Sequence, residues 1–361
     1  MMKANGSTPY KQSDGLIDRW GRTHRYLRVS LTDRCNLRCR YCIPAGDVRW
    51  RPQTEILTPD EILRLLRIFV SLGIAKVRFT GGEPLLRNEL LELIRCTAQI
   101  AGVRSIGLTT NGVLLAAQAA ALRRAGLQSV NISLDTLQRD RFCAITGHDR
   151  FDDVVAGIEA ALSAGFALVK INVVVMRDCN EDELCDFVEF ARMRNVAVRF
   201  IEFMPLTGDA PQRHLLVPFK EMKEKIERRY SLTLADHSRL RHSCLGNDGK
   251  RHSPAAAVVD SDGVAKMYRI DGWQGAIGFI TPMTKRFCDD CNRLRLLADG
   301  ALKCCLFQPA EVNLCNLIRC GVGDDTLITS IREALLQKQL RHSYGTETKT
   351  HRLHAMSATG G

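Results

Sequence analysis

The chain has 361 residues and a net charge of +11, with 45% hydrophobic and 25% charged residues. These values are typical of a globular protein with one large domain and an extension, or with two domains. It contains no run of about 18 uncharged apolar residues, which argues against a membrane-spanning helix. The basic residues are scattered and form no Lys/Arg block with interleaved aromatic residues, so we expect no nucleic-acid partner and consider a polyanionic small molecule instead.

The amino-terminal segment and the cysteine content point to a thiol-rich, unsecreted protein. Residues 1–20 are polar, contain Asp14 and Asp18, and have no apolar segment of the secretory kind. Fourteen cysteines in such a chain are expected to be free thiols and metal ligands, not a disulfide framework. We therefore expect a cytoplasmic protein, or one of the mitochondrial matrix if the source is eukaryotic.

After a loose tail over residues 1–23, strand and helix patterns alternate through residues 24–230. The predicted strands are 24–31, 76–80, 105–109, 129–134, 168–175 and 197–203. The predicted helices between them are 58–73 with Thr58 as N-cap, 88–100, 114–124, 151–164, and 180–194 with Asn180 as N-cap. This alternation predicts parallel βα units that curl into a partial barrel or form an open sheet.

Three cysteines follow the first predicted strand: Cys35, Cys39 and Cys42, in the spacing Cys-x3-Cys-x2-Cys. Thiolates are the ligands of iron–sulfur clusters, and a cubane needs one ligand for each of its four irons. Three cysteines therefore leave one iron open for a substrate or cofactor, as in catalytic metal sites. A zinc site is the weaker alternative, because closed zinc sites use four ligands, usually in paired sets.

Polar residues cluster where the other predicted strands end. These positions are the segment 81–84, the segment 109–112, Ser133, Asp135, Glu202 and Met204. Because the active site of such a fold lies at the carboxyl ends of its parallel strands, we expect these residues to share one site with the three cysteines.

Beyond residue 205 the pattern weakens. We predict a charged helix at 218–230, short strands at 258–259, 267–270 and 278–280, and a helix at 327–340. We expect residues 231–345 to form a second, smaller unit packed against the barrel, followed by a tail over 346–361 that ends in Gly360-Gly361. This unit contains Cys288 and Cys291 in a Cys-x2-Cys spacing, with Cys304 and Cys305 downstream, so a four-cysteine zinc site and a three-cysteine site are both open.

These motifs resemble those of a superfamily and of one family within it. The first cysteine motif, with the aromatic Tyr41 before its last cysteine, resembles the radical S-adenosylmethionine (SAM) superfamily. The stretches 26–36, 199–205, 288–300 and 305–307, together with the terminal Gly-Gly pair, closely resemble the GTP 3′,8-cyclase family, the radical SAM enzymes that begin molybdenum cofactor synthesis. The resemblance covers nearly the whole chain.

The resemblance implies a fold and a set of ligands. The fold is an α/β structure, a partial (βα)6 TIM-like barrel of the radical SAM type, with a C-terminal extension that carries a second cluster. Two 4Fe–4S clusters are implied, one on Cys35, Cys39 and Cys42 and one on Cys288, Cys291 and Cys305. The implied SAM residues are Tyr41, Gly82, Ser133 and Met204. The implied GTP residues are Arg28, Arg78, Thr109, Lys170, Arg293 and Arg295, to which we add Arg199 because it lies within an apolar strand pattern.

The resemblance also implies a reaction and partners. GTP becomes (8S)-3′,8-cyclo-7,8-dihydroguanosine 5′-triphosphate, the first step of molybdenum cofactor biosynthesis, while SAM is cleaved to methionine and 5′-deoxyadenosine. The implied partners are an external one-electron donor and a downstream cyclic pyranopterin monophosphate synthase, and a homodimer is left open. Two alternatives are a radical SAM enzyme that acts on a peptide or RNA, and a zinc-stabilised basic protein that binds nucleic acid. Metal analysis and the substrate that stimulates SAM cleavage distinguish them.

Overall fold

A computed structural model describes residues 15–43, 50–205, 212–235, 264–273 and 275–342. Within these ranges the strands are β1 (Tyr26–Ser30), β2 (Lys76–Thr80), β3 (Ser105–Thr110), β4 (Ser129–Ser133), β5 (Leu168–Val175), β6 (Ala197–Glu202), β7 (Thr233–Leu234), β8 (Lys266–Arg269), β9 (Ala276–Ile280), β10 (Arg293–Leu296), β11 (Ala301–Lys303) and β12 (Val312–Asn313). The α-helices are α1 (Pro59–Ser71), α2 (Leu90–Ala98), α3 (Leu115–Arg124), α4 (Arg139–Thr146), α5 (Phe151–Ser163), α6 (Leu184–Arg194), α7 (Phe219–Glu227), α8 (Leu314–Arg319) and α9 (Asp324–Leu336). The predicted strand at 258–259 and Gly360-Gly361 lie outside the described residues.

The strands form one twelve-stranded sheet in the order β12-β11-β10-β1-β2-β3-β4-β5-β6-β9-β8-β7. The eight strands from β10 to β9 in this order run parallel to one another. The strands β11, β12, β8 and β7 are antiparallel additions at the two ends. Residues from both ends of the parallel part, such as Arg293 and Ile280, line the same cavity. The sheet is therefore curled into an incomplete barrel, as predicted for the six-stranded core.

The C-terminal region extends this sheet instead of forming a separate layer, which corrects the expectation of a second unit packed against the barrel. β9 pairs with β6, and β10 pairs with β1, so that Arg28 lies in register with Arg295. The edges of a six-stranded core would otherwise present rows of unpaired backbone N–H and C=O groups. Adding strands to both edges satisfies these groups and brings the second cysteine set beside the first strand.

Helix α1 begins as the sequence predicts. The Thr58 hydroxyl accepts a hydrogen bond from Glu61 N, and the Glu61 carboxylate accepts one from Thr58 N at 2.7 Å, with Pro59 at the first helical position. This capping box satisfies backbone donors that the first helical turn leaves without partners. Gly73, at φ +99°, follows the end of the helix. The buried face includes Ile62, Leu65, Leu66 and Phe69.

Two helix predictions need correction, and one helix was not predicted. Asn180 does not cap the following helix, because its amide accepts from Met176 N and donates to Asp135 O and Val174 O. A short 3₁₀ turn, Glu181–Glu183, therefore precedes α6. Helix α4 was not predicted, and the last helix ends at Leu336 rather than at residue 340. Among the described residues, no helix is both long enough and apolar enough to cross a bilayer.

Candidate functional site

One large cavity lies inside the barrel. Its lining extends from the first residues of β1 and β10, Tyr26 and Arg293, to the loops that follow the carboxyl ends of the strands. Both predicted cysteine sets line it. All four predicted SAM residues line it as well: Tyr41, Gly82, Ser133 and Met204. So do most of the predicted nucleotide residues: Arg28, Arg78, Thr109, Arg199, Arg293 and Arg295.

Lys170 is the predicted GTP residue that does not line the cavity. It is 1% exposed and lies on β5 two residues before Asn172, which does line it. Alternate residues of a strand share one face, so Lys170 points to the same interior as Asn172 but lies deeper. Contact between Lys170 and a nucleotide stays a prediction.

The first cysteine set lies on a loop that neighbouring polar groups hold in place. Leu37 N is 3.4 Å from the Cys35 sulfur, and the Asn111 amide is 3.7 Å from it. Cys42 N donates to Cys39 O at 2.9 Å, which turns the chain between these two cysteines. Burial raises the pKa of Cys35 and raises that of Cys39 well above its usual value. These cysteine thiols would lose their protons on binding a metal, and the resulting thiolates fit the positively charged iron–sulfide core of a cluster.

The loop after β2 packs directly on the segment before Cys35. Gly82 N donates to Thr32 O at 2.7 Å, and Glu83 N donates to Arg34 O at 2.8 Å. A Cβ atom on Gly82 would lie 2.2 Å from Arg34 O. Glycine is therefore required for the close approach of these two loops, whatever ligand they hold.

Glu83 links this loop to the next one. Its buried carboxylate accepts from Thr110 Oγ1 at 2.6 Å, from Asn111 N at 2.7 Å and from Leu85 N at 3.0 Å. Burial raises the pKa of Glu83 to about 7. Because Asn111 reaches the Cys35 sulfur, Glu83 positions a neighbour of the first cysteine set.

Tyr41 is held by a carboxylate at the end of β4. Its hydroxyl donates to Asp135 Oδ2 at 2.7 Å, and Asp135 Oδ1 accepts from Val174 N at 2.8 Å. Burial raises the pKa of Asp135 to about 6. The aromatic ring before the last cysteine of the motif is therefore fixed to the barrel wall.

The second cysteine set begins in a tight turn, where Cys291 N donates to Cys288 O at 3.2 Å. Burial alone would raise the pKa of Cys291, but the neighbouring cations Lys338 and Arg293 lower it to about 7. Burial raises the pKa of Cys305. The Cys304 thiol instead donates to Ala334 O of α9 at 3.5 Å, which supports the set of three without Cys304.

In the part of the chain that the structure describes, no group of three or more His, Cys, Asp or Glu side chains is arranged to hold one metal ion. A cubane has four separate irons, so its thiolate ligands are distributed over its corners and do not meet at one point.

Three arginines are neighbours across adjacent strands. Arg295 on β10, Arg28 on β1 and Arg78 on β2 lie in register, and all are buried. Burial, together with the neighbouring arginines, lowers the pKa of Arg28 to about 10 and that of Arg295 well below its usual value. Adjacent buried cations repel one another, so this wall is suited to a polyanion.

Arg78 and Arg199 are oriented by the protein itself. Arg78 donates to Tyr26 Oη and Leu108 O, each at 2.7 Å, and lies across Gly107, where a Cβ would meet its guanidinium at 2.4 Å. Arg199 donates to Asn172 Oδ1 through Nε at 2.9 Å. Their charge contributes to the cavity, and their positions are set by the barrel.

Sequence reasoning missed several cavity residues, among them Arg22, Asn131 and Lys338. Arg22 belongs to a segment placed in a loose tail, but residues 15–23 pack on the barrel through bonds such as Leu16 N to Leu72 O at 3.1 Å. Asn131 is 4% exposed and its Oδ1 has no partner among the described residues. The signal for Asn131 was its position between Ser129 and Ser133 on the inward face of a strand.

Family models match both parts of the chain. The radical SAM superfamily model matches residues 29–191, and the model described as Molybdenum Cofactor Synthesis C matches residues 245–344. Among solved structures, the SuiB protein of Streptococcus suis bound to S-adenosylmethionine aligns with a TM-score of 0.52 at 15% identity, over 86% of this chain and 68% of that one. This likeness shows the fold alone.

Curated relatives are much more similar in sequence. The mitochondrial GTP 3′,8-cyclase of Arabidopsis thaliana is 42% identical over 92% of this chain and 80% of its own length. The GTP 3′,8-cyclase of Moorella thermoacetica is 41% identical over 96% of this chain and 100% of its own length. Molybdenum cofactor biosynthesis protein 1 of Drosophila melanogaster is 42% identical over 96% of this chain, which spans only 58% of that protein. The chain belongs to the GTP 3′,8-cyclase family of radical SAM enzymes.

Proposed function

We propose that this chain converts GTP to (8S)-3′,8-cyclo-7,8-dihydroguanosine 5′-triphosphate while SAM is cleaved to methionine and 5′-deoxyadenosine. The observation that carries the proposal is the register of Arg295, Arg28 and Arg78 in the cavity that both cysteine sets line. The negative charge of a nucleoside triphosphate would offset the mutual repulsion of three adjacent buried arginines. Membership of the family gives the reaction class.

The residues present fit the cofactors of the family. Each cluster would be held by three thiols, Cys35, Cys39 and Cys42 in one case and Cys288, Cys291 and Cys305 in the other. When bound, the clusters and SAM supply an electron and a carbon radical that can remove a hydrogen atom from the substrate. Tyr41, Gly82, Ser133 and Met204 would line the SAM side.

The chain's own residues bind and orient the substrate. Arginine guanidiniums hold phosphate oxygens through paired hydrogen bonds, which fixes the triphosphate more firmly than point charges would. Thr109 and Asn131 lie side by side on β3 and β4, and Asn131 has a buried amide oxygen able to accept a hydrogen bond from the nucleoside. Orientation of the ribose relative to SAM is what converts radical formation into a selective reaction.

Anaerobic reconstitution with iron and sulfide tests the proposal. We expect about eight irons per chain, four for each cubane. With SAM, a reductant and GTP, the cyclised triphosphate and 5′-deoxyadenosine should form together. SAM cleavage without consumption of GTP would contradict the substrate, and stimulation by a peptide or RNA would favour the alternative radical SAM reaction. Zinc in place of iron would contradict the proposal entirely.

The partners follow from the reaction class. An external one-electron donor must reduce the first cluster, and a cyclic pyranopterin monophosphate synthase would consume the product. A homodimer, and a cytoplasmic or mitochondrial location, are compatible with the proposal and are not required by the cavity.

Replacement of Arg293 by Ala should weaken GTP binding while both clusters are retained. Arg293 lies at the cavity wall, with its guanidinium 5.0 Å from the centre of the Phe287 ring. Loss of one charge-assisted hydrogen bond is worth roughly 1.5–3 kcal/mol, or about a 10- to 150-fold rise in the dissociation constant. Calorimetric GTP titration of the reconstituted protein measures this change.

Arg192→Ala is the matched control, because Arg192 pairs with Glu189 and stacks on Trp273. It is absent from the residues that line the cavity. We expect unchanged GTP affinity in this control. Loss of iron from Arg293→Ala would make Arg293 a structural residue of the second cysteine set instead of a substrate ligand.

A further inference from the structure

Lys338 follows helix α9 and lies at the wall that carries the second cysteine set. Its side chain is buried, at 2% exposure. The ammonium Nζ is 3.6 Å from the Cys291 sulfur and donates to Arg293 O at 3.0 Å. A lysine ammonium has three donors and no acceptor, so a buried one is stable only where acceptors surround it. A thiolate sulfur is a stronger acceptor for a cation than a neutral thiol is.

Lys338 is held in this place by the amino-terminal segment 16–24. The Trp20 indole Nε1 donates to Lys338 O at 3.0 Å. Arg22 donates to Gln339 O and to Leu340 O, each at 2.9 Å, and also to Cys288 O at 2.7 Å. The same arginine therefore connects the cysteine turn to the segment that carries Lys338.

Asp18 completes this arrangement. It is 4% exposed, and its Oδ2 accepts from Arg22 Nε at 2.6 Å while facing His24 Nε2 at 3.0 Å. A buried carboxylate paired with a buried guanidinium fixes the direction in which Arg22 donates its other hydrogen bonds. The position of Lys338 relative to Cys291 is thus determined by contacts among three segments that are far apart in the sequence: 16–24, 288–293 and 338–340.

We propose that Lys338 is a positioning residue for the second cluster. The Lys338 ammonium donates a hydrogen bond to the Cys291 sulfur and thereby raises the reduction potential of that cluster. This inference rests on the proposed function, through the assignment of Cys288, Cys291 and Cys305 as ligands. Hydrogen bonds to the sulfurs and the local charge set the potential of an iron–sulfur cluster. A reduced cluster carries one more negative charge than an oxidised one, so a fixed cation in low dielectric stabilises the reduced form more.

The test uses full-length protein in which Cys35, Cys39 and Cys42 are replaced by Ala, so that the second cluster is measured alone. A redox titration followed by electron paramagnetic resonance gives the ratio of reduced to oxidised cluster at each potential. We expect Lys338→Met to lower this ratio about tenfold, which is a 59 mV negative shift for a one-electron couple. Lys338→Arg keeps the cation and should restore most of the ratio.

Arg341→Gln is the matched control. Arg341 lies three residues downstream and pairs with Asp289 on the cysteine turn at 2.8 Å, but it is exposed to solvent. Screening by water should leave the ratio unchanged in this control. An equal shift in Arg341→Gln and Lys338→Met would overturn the inference, because any nearby cation would then suffice.

The outcomes separate this inference from the proposed function. If the protein with the three alanines holds no cluster, the assignment of the second site fails. If it holds a cluster and the ratio of reduced to oxidised cluster is the same with and without Lys338→Met, only the role of Lys338 fails. If Lys338→Met loses its iron, the Trp20→Phe variant is measured instead, because it removes the indole N–H that donates to Lys338 O. A lowered ratio of reduced to oxidised cluster in Trp20→Phe supports the inference, and an unchanged ratio overturns it.

Discussion

Replacement of Cys39 by Ser is expected to abolish SAM cleavage and to leave about four of the roughly eight irons bound. Serine has nearly the same size as cysteine, but its hydroxyl is not a thiolate ligand. The turn around this residue uses its carbonyl, which accepts from Cys42 N at 2.9 Å and from Ile43 N at 3.0 Å. The backbone of the loop should therefore persist, and the loss should be limited to the cluster.

Iron and sulfide analysis and chromatography of 5′-deoxyadenosine measure this effect. Cys143→Ser is the control, because Cys143 is an exposed free thiol on α4. We expect full iron content and normal cleavage in the control. Cleavage of SAM by Cys39→Ser at the unaltered rate would rule out the assignment of the first cysteine set.

Gly82→Ala is expected to lower the stability of the protein and to weaken SAM binding strongly, although the substitution adds only one methyl group. That methyl would lie 2.2 Å from Arg34 O and 2.5 Å from Asp33 O. Both are backbone atoms, which no side-chain rotation can move. The loop after β2 must then shift away from the first cysteine set, and such overpacking costs about 1–3 kcal/mol.

Thermal unfolding and equilibrium SAM binding to the reconstituted protein measure the two parts of this prediction. Gly323→Ala is the matched control, since a Cβ there meets nothing within 4 Å and its φ of −73° suits any residue. We expect little change in that variant. Equal SAM affinity in Gly82→Ala and the unaltered protein would show that the two loops need not touch.

Local interactions made several features predictable from the sequence. The Thr58 capping box joins residues three apart, and the alternation of apolar residues in β5 identifies the face that bears Lys170 and Asn172. The spacing of Cys35, Cys39 and Cys42 indicates a metal-binding loop. Such signals depend on neighbours along the chain and need no knowledge of the fold.

The depth of a side chain within the barrel and its tertiary partners could not be predicted from the sequence. Lys170 and Asn172 share a face, yet only Asn172 lines the cavity, because their positions along the strand place them in different layers. Asn180 has the composition of a helix cap but binds Asp135 O and Val174 O instead. For Asn180, a tertiary partner competes with the local preference, and the sequence pattern cannot weigh that competition. For Lys170, the alternation of the strand identifies the face but not the depth.

The sequence alone therefore predicted the two cysteine sets, the βα units and the family motifs, since each depends on residue type and short spacing. Tertiary structure decided which strands close the sheet, placing β10 beside β1 and Arg295 beside Arg28. It also brought Lys338 to the Cys291 sulfur. These contacts join distant parts of the chain, so the entropy cost of closing long loops opposes them. Pairing of both sheet edges offsets that cost.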